Sequence, residues 1–351
     1  MDMRIRSVLC ILFFAVFMQG NAQSNIRLGV SASYGSIIAH SSELLPISQT
    51  HPWGISGSIQ FMGTQKKDWE TCNCFYYLGM KLTYDNFSNP HVLGSAGGIS
   101  GTFEPILWRK DHWVFSLHSG IGFSYLNKVF HPDSNPQNLF FSAPISFLVF
   151  VAPTLEYRFA PLWSANMALT YNHISNGGQS QPNKGINYPM LGIGLNHYYQ
   201  SFELPDYTSS ALSRDWGYFV ELAYTNKQAT WSTYRKPVFT FAAVAFKPLT
   251  TFNAVGGGLE MNKDFSIAVE ESRWEALMPA PFISHHFILG RMEFSQRMAF
   301  YAHKPVGYND YRFYQRYILQ YRAWSKLQIG MGLKVHGHEA ENIDFRLGWR
   351  F

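Results

Sequence analysis

The feature that most constrains this chain is an alternation of apolar and polar residues with a period of two. The final segment, NIDFRLGWRF, places Ile343, Phe345, Leu347, Trp349 and Phe351 on one face and charged or small residues on the other. Successive side chains of a strand point to opposite faces, so the pattern predicts a strand with one apolar face. Similar segments recur along the chain between turns rich in Gly, Pro, Asn, Asp and Ser. The sequence therefore predicts an all-β fold of about 14 strands, within a range of about 12 to 16.

The composition favours a membrane barrel over a soluble sandwich, which also has one apolar face per strand. Aromatic residues make up 17% of the chain and charged residues only 15%, whereas a soluble domain carries about 25% charged residues. Aromatic residues lie near strand ends, as in the girdles of a bilayer-spanning barrel. The last strand ends on Phe351 and resembles the C-terminal signal of bacterial outer-membrane barrels. These features predict a transmembrane antiparallel β-barrel, the closed form that satisfies all backbone groups of strands in lipid.

The N-terminus predicts export. Residues 1–22 combine a basic start, a short apolar run and a small-residue end at Ala22, which is typical of a cleaved secretory signal peptide. No later segment is apolar over the ~18 residues that a transmembrane helix needs. We expect residues 23–351 to form a single barrel in the outer membrane of a Gram-negative bacterium. Residues 23–200 would carry the site, and residues 201–351 would add the strands that close the barrel.

The remaining composition excludes several classes of function. The formal net charge of +5 comes without a basic run, so a nucleic-acid partner is not expected. Cys72 and Cys74 either form a strained disulfide in an oxidising compartment or, less favoured, contribute to a zinc site. No acidic cluster calls for a metal, and neither a metal nor another cofactor is predicted.

The segment YNHISNGGQSQPNKGIN, residues 171–187, contains the candidate catalytic residues. His173 and Ser175 continue the apolar, lipid-facing side of the strand before them, since residues two apart point the same way. A hairpin would bring Asn187 beside His173 on that surface. Polar groups facing acyl chains are costly unless they act there, so the cluster suggests hydrolysis of a lipid ester. Ser175 would be the nucleophile, His173 its base, and Asn187 the residue that orients the imidazole.

The turn after this strand offers groups for the oxyanion. The side chain of Asn176 or Asn183, with backbone N–H groups at Gly177 and Gly178, would stabilise the charge that develops in an ester hydrolysis. The alternative is an ordinary polar turn without catalysis. We expect the remaining histidines to be lumen or loop residues without a nucleophile partner; they include His118, His197, His285, His286, His336 and His338.

The same segment resembles the active-site region of the PagL family of outer-membrane lipid A 3-O-deacylases. The residues in register with that family's pattern are His173, Ser175, Asn176, Gly178, Pro182, Asn183, Gly185 and Ile186. The resemblance implies a serine esterase that removes the acyl chain at the 3-position of lipid A. It implies His173 as base and Ser175 as nucleophile, with Asn176, Gly178 and Asn183 around the oxyanion. The C-terminal part looks like that of longer Bacteroidetes-type relatives called acyloxyacyl hydrolases.

The chain departs from the family at the acid. Asn187 occupies the position of the triad glutamate, so either the amide supports turnover or another acid, such as Glu203, takes that role. The expected partner is lipid A, as part of lipopolysaccharide, in the outer leaflet. One alternative is a non-catalytic barrel (structural, receptor or pore) that keeps a degenerate site. A weaker alternative is an outer-membrane phospholipase.

Overall fold

The computed structural model describes residues 25–177, 180–208, 215–229, 234–250, 252–267, 276–337 and 339–351. The predicted signal peptide, Gly178 and His338 lie outside these residues. Within them, no helix has the length and apolarity that crossing a membrane requires.

The described residues form sixteen strands joined by turns and loops. The strands are β1 Asn25–Gly35, β2 Trp53–Met62, β3 Tyr76–Asn89, β4 Gly94–Lys110, β5 Trp113–Leu126, β6 Ile145–Ala160, β7 Trp163–Ser175, β8 Ile186–Tyr198, β9 Gly217–Gln228, β10 Arg235–Pro248, β11 Asn253–Asp264, β12 Leu277–Leu289, β13 Met292–Phe300, β14 Phe313–Arg322, β15 Leu327–His336 and β16 Glu339–Arg350. Short helical turns lie at Ser42–Leu44, Leu45–Ser48 and Lys66–Trp69.

The strands close into two antiparallel barrels of eight strands each. In barrel 1, β8 pairs back onto β1, with Arg27 opposite Tyr198. In barrel 2, β16 pairs back onto β9, with Phe345 opposite Tyr224. The predicted all-β barrel fold is confirmed, and its sixteen strands reach the upper limit of the expected range.

This pairing differs from the single barrel predicted for residues 23–351. The strands after residue 201 form a ring of their own instead of completing the first one. Alternation determines which face of a strand is apolar, but it carries no information about which strand bonds to its edge. One ring of sixteen strands and two rings of eight therefore have the same sequence pattern.

The two faces of the strands follow the predicted alternation. In β7 the even-numbered Ser164, Thr170 and Ile174 are buried inside the barrel, and the odd-numbered Met167 and Leu169 are exposed outside it. Aromatic side chains form the outer girdles near the strand ends of barrel 1. At one end these are Tyr34, Trp53, Tyr84, Tyr125 and Tyr171, and at the other Trp108, Trp113, Tyr157 and Trp163.

The lumen of barrel 1 is crossed by buried charges. Arg27 donates to Glu156 at 2.7 Å and to Gln60 at 2.7 Å, and its guanidinium also pairs with Glu104. Gln60 in turn donates to Glu104 at 2.8 Å. Burial of a charge is costly unless it is paired. In this cluster the positive charge of Arg27 offsets the negative charges of Glu104 and Glu156. It fills the middle of the lumen with side chains, as is typical of eight-stranded barrels.

The lumen of barrel 2 has a comparable but larger cluster. Arg297 lies 2.8 Å from Glu221 and Arg316 lies 2.6 Å from Glu260, all four side chains being buried. Arg346 also pairs with Glu221 at 2.7 Å. Inward charges from at least five strands therefore meet in the interior.

Barrel 1 has a long-loop end, defined by the loops 36–52, 127–144 and 176–185. An apolar cluster formed by these loops and the adjoining strand ends covers this opening. Its central members are Leu44, Phe140, Phe141, Ile174, Ile186 and Tyr188. The opposite end carries the two-residue turns 111–112 and 161–162, and the linker to barrel 2 leaves from there.

The two barrels touch at this opposite end, through the loop between β2 and β3. The backbone N–H of Arg291, in the turn between β12 and β13, donates to the carbonyl of Thr71 at 2.6 Å. Gly290 has φ +58°, and a Cβ there would lie 2.6 Å from the same carbonyl. Cys72 and Cys74 form a disulfide in the contacting loop, which is the first of the two states expected for this pair.

Candidate active site

His173 and Ser175 end β7 on the outer surface of barrel 1. Their neighbours Asn172 and Ile174 are buried toward the lumen, whereas the side chains of His173 and Ser175 are half-buried on the outside. Tyr171, one step earlier on the same face, is exposed as a member of the aromatic girdle. The pair therefore lies at the boundary between the apolar band and the long-loop end.

Asn187 is the second residue of β8 and lies directly opposite His173 in the register of the two strands. Its Oδ1 atom lies 2.7 Å from Nδ1 of His173. An amide oxygen only accepts, so this contact places the proton on Nδ1 and leaves the lone pair of a neutral ring on Nε2. That tautomer is the one a general base needs toward a serine hydroxyl.

Gly185 packs against both residues of the pair. It has φ +69°, and a Cβ there would lie 2.9 Å from Cε1 of His173 and 3.2 Å from Cβ of Ser175. The left-handed backbone and the close approach both require glycine. The hairpin thus holds the ring and the hydroxyl-bearing carbon against one backbone segment.

Asn176 and Asn183 are linked across the hairpin. The backbone N–H of Asn176 donates to Oδ1 of Asn183 at 3.0 Å. The side chain of Asn176 is buried, and its amide donates to the carbonyl of Ser180 at 2.9 Å and to Oγ of Ser142 at 3.2 Å. The Asn176 amide is therefore engaged in holding the loops, whereas Asn183 is half-exposed with its NH₂ group as the donor on the hairpin.

A segment of the loop between β1 and β2 extends the sheet beside β8. The N–H of Ile38 donates to the carbonyl of Asn187 at 2.8 Å, in an isolated antiparallel bridge. This places His40, two residues on, within electrostatic range of His173. Because the contact is long-range, no local sequence signal indicated that His40 belongs to the site.

No carboxylate among the described residues hydrogen-bonds His173. The triad carboxylate that Asn187 replaces is therefore not supplied by a neighbouring Asp or Glu. Glu203 follows the far end of β8, on the side of the linker, and is exposed. The suggestion that Glu203 takes the acid's role is therefore wrong, because the whole length of β8 separates it from Asn187.

A second Ser–His–acid arrangement lies inside barrel 2, and it was missed in the sequence. Oγ of Ser284 is 2.8 Å from Nε2 of His286, whose Nδ1 is 2.8 Å from Oε1 of Glu293. The expectation that His286 has no nucleophile partner is thus wrong. The signal was available, since Ser284 and His286 are two apart on β12 and Glu293 follows a two-residue turn. All three side chains are buried, and the rings of Phe219 and Phe246 flank His286.

This buried triad has no lipid-facing surface, so the outward-facing pair on β7 remains the candidate active site. His118 also lies in a lumen, 3.8 Å from Glu104. Within the described part of the chain, no group of three or more His, Cys, Asp or Glu residues could hold a metal ion.

Two family models match the chain in succession. Lipid A 3-O-deacylase (PagL) matches residues 53–196, and the C-terminal domain of acyloxyacyl hydrolase matches residues 216–351. No curated protein matches the chain.

Several solved structures are similar to the chain. The outer membrane enzyme PagL is 18% identical, with a TM-score of 0.36, over 47% of this chain and 97% of that chain. Pseudomonas aeruginosa OccK5 (OpdH) is 12% identical, with a TM-score of 0.25, over 94% and 97% of the two chains. A mutant of the Rh. blastica porin is 10% identical, with a TM-score of 0.21, over 94% and 100%.

Proposed function

We propose that Ser175 and His173 hydrolyse the ester at the 3-O position of lipid A. The proposal is supported by the match of the lipid A 3-O-deacylase (PagL) model to residues 53–196, followed by the match of the acyloxyacyl hydrolase C-terminal domain to residues 216–351. The observation that carries this proposal is the position of Ser175, His173 and Asn187. They form one cluster on the outer face of barrel 1, at the edge of its apolar band, with the Asn187–His173 contact at 2.7 Å. A cluster in that place meets a lipid ester rather than a solute in the lumen.

The orientation of the barrel supports a substrate in the outer leaflet. Outer-membrane barrels have short periplasmic turns and longer extracellular loops. The long-loop end of barrel 1 would then face outward, and the two-residue turns 111–112 and 161–162 would face the periplasm. His173 and Ser175 end β7 at the long-loop end, which is the level of the lipid A sugars and their ester bonds.

The reaction would proceed as a serine esterase reaction. The hydroxyl oxygen of Ser175 attacks the ester carbonyl, and Nε2 of His173 takes the hydroxyl proton. The NH₂ group of Asn183 and backbone N–H groups of the hairpin stabilise the oxyanion, whose stabilisation is usually a large part of such catalysis. His173 then gives its proton to the leaving sugar hydroxyl, and an acyl group remains on Ser175. A water molecule, activated by His173, releases the fatty acid and restores the serine.

Asn176 would act as a positioning residue in this scheme. Its amide joins the hairpin to the loop between β5 and β6 through Ser142 and Ser180. Its backbone N–H holds the carbonyl oxygen of the Asn183 side chain, which leaves the NH₂ group of that side chain for the substrate.

The experiment that tests the proposal is a mass spectrum of lipid A from cells that express the protein. We expect a species that lacks one ester-linked acyl chain, and Ser175→Ala should abolish it because the nucleophile is gone. Ser284→Ala is the matched control, since it removes a serine that contacts a histidine, His286, but faces the lumen of barrel 2.

The control should leave the deacylated species unchanged, and heat-modifiable gel mobility should show that both variants fold. Deacylation by folded Ser175→Ala at the parental level would contradict the proposal. Loss of a fatty acid from phospholipid, with lipid A intact, would assign the same site to a phospholipase instead.

A further inference from the structure

Lys184 lies at the base of the catalytic hairpin, on the rim of the site. Its ammonium group is 2.8 Å from Oε1 of Glu43, in the loop between β1 and β2. The exposed fraction is 34% for the side chain of Lys184 and 50% for that of Glu43, so both reach solvent. Lys184 lowers the pKa of Glu43 below its ordinary value, through a hydrogen bond and its charge.

The backbone of Lys184 is held in a fixed position relative to the nucleophile. Its N–H donates to the carbonyl of Leu139 at 3.1 Å, and the N–H of Gly185 donates to that of Phe140 at 2.8 Å. Gly185 is the residue at which an added Cβ would meet both His173 and Ser175. Lys184 is therefore one residue from that close approach, and its side chain projects from the same loop junction.

Another anion can readily displace Glu43 from its ion pair with Lys184. Exposed Lys–carboxylate pairs contribute little to stability, because water and salt screen them. A phosphate group carries more charge than a carboxylate and offers three strong acceptor oxygens, and lysine binds it well as a point charge. A phosphorylated lipid headgroup that reaches the rim would compete effectively with Glu43 for Lys184.

We propose that Lys184 is a specificity-determining residue that binds a phosphate group of the glycolipid substrate, exchanging Glu43 for that phosphate when the ester enters the site. This inference rests on the proposed lipid A deacylase function. It makes the enzyme selective for glycolipids that carry a phosphate on the sugar bearing the reactive ester. Glu43 then competes with the substrate phosphate for the ammonium group of Lys184. Between turnovers, when no phosphate is bound, Glu43 keeps that group oriented.

The test compares two substrates in mixed detergent micelles. One is lipid A with a phosphate on the sugar whose 3-O ester is cleaved, and the other is the same lipid A after removal of that phosphate. The ratio of the two kcat/KM values would be measured for the parent, Lys184→Met and Glu43→Gln. Lys128→Met is the matched control, since Lys128 is an exposed lysine in another loop of the same end, beside Gly94 at the start of β4.

We expect the parent to prefer the phosphorylated lipid by about tenfold, the change that one charge-assisted contact makes. Lys184→Met should lose this preference by slowing only the phosphorylated substrate. Glu43→Gln should increase the preference, because the competing carboxylate is gone, and Lys128→Met should match the parent.

Equal rates of the parent on both substrates, or an unchanged ratio in Lys184→Met, would overturn the inference while leaving deacylation intact. Absence of hydrolysis of either substrate by the folded parent would refute the proposed function, and the inference with it.

Discussion

At the scale of single residues, the amide of Asn187 would limit the turnover of the proposed site. Its oxygen orients His173 through the 2.7 Å contact, but an amide cannot offset the positive charge that the ring acquires in the transition state. In a serine protease, replacing the orienting aspartate by asparagine lowers kcat by ~10⁴ because the ring takes the wrong tautomer, which is ~5.5 kcal/mol of barrier. That loss is an upper limit here, since the oxygen of Asn187 faces Nδ1 and supports the productive tautomer. His40 adds a second ring near His173 rather than a negative charge. The protein should therefore be a slow deacylase.

Restoring the acid should raise the rate. We expect Asn187→Glu to increase kcat, by up to ~10⁴ if the carboxylate adopts the orienting geometry, and to change KM little. Asn187→Ala, which removes the acceptor without adding a charge, should lower kcat further. The measurement is steady-state release of fatty acid from lipid A. A large loss in Asn187→Glu, with the barrel folded, would show that the amide has a role of its own.

The placement of the candidate pair, His173 and Ser175, was predictable because it depends on local geometry. His173 and Ser175 are two residues apart on one strand, so their side chains point to the same face of the sheet. The hairpin that follows brings Asn187 opposite His173. The engagement of the Asn176 amide with Ser142 was not predictable, since the two residues come from different loops. Lys184 was overlooked for the same reason, because its partner lies in the loop between β1 and β2.

At the scale of elements, the charges inside each barrel tie distant strands together. Arg27 on β1 contacts Glu104 on β4 and Glu156 on β6. The inward positions of these residues follow from alternation, so their burial was predictable. Their pairing was not, because it depends on the closure of β8 onto β1, and alternation does not specify that edge.

Removing the guanidinium of Arg27, which pairs with both Glu104 and Glu156, should destabilise barrel 1. Arg27→Met takes the guanidinium away from buried Glu104 and leaves buried Glu156 with Arg158, at 3.5 Å, as its remaining cationic partner. Breaking a buried ion pair typically costs about 3 to 5 kcal/mol. Reversible urea unfolding in lipid vesicles would measure the change. Leu28→Met, at the next residue but on the lipid-facing side, is the control and should change the free energy of unfolding little.

A triple variant would separate charge from packing in this cluster. If Glu104→Gln and Glu156→Gln are added to Arg27→Met, the two carboxylates that Arg27 had neutralised are no longer charged, and much of the lost stability should return. A triple variant as unstable as Arg27→Met alone would show that the loss came from the shape of the arginine side chain.

At the scale of the whole molecule, buried charge clusters cross the lumen of each barrel, so we expect the described strands to leave no continuous path for solutes. The Arg27 cluster crosses the lumen of barrel 1, and the Arg297, Arg316 and Arg346 cluster crosses that of barrel 2. A single barrel of about fourteen strands would leave a wider lumen, which is why a pore was a reasonable alternative from the sequence. The division into two small rings removes the structural basis of that alternative.

The protein should therefore fail to conduct ions. In planar lipid bilayers we expect no stable conductance steps after insertion, with a known outer-membrane porin as the positive control. Mass spectra of lipid A from the same preparation would show whether the inserted protein is the active form. Reproducible ohmic steps from purified, deacylating protein would contradict the filled lumens.

The contact between the barrels also determines how a glycolipid can reach the site. Barrel 2 touches barrel 1 at the loop that leads into β3, and in a ring of eight strands β3 lies four places from β7. The contact with the second barrel thus lies on the side of barrel 1 farthest from the strand that carries Ser175. If the site acts as proposed, a lipid that diffuses laterally in the leaflet would reach Ser175 directly, without passing between the two barrels. Encounter with substrate should then depend on the fluidity of the surrounding membrane rather than on any opening motion of the protein.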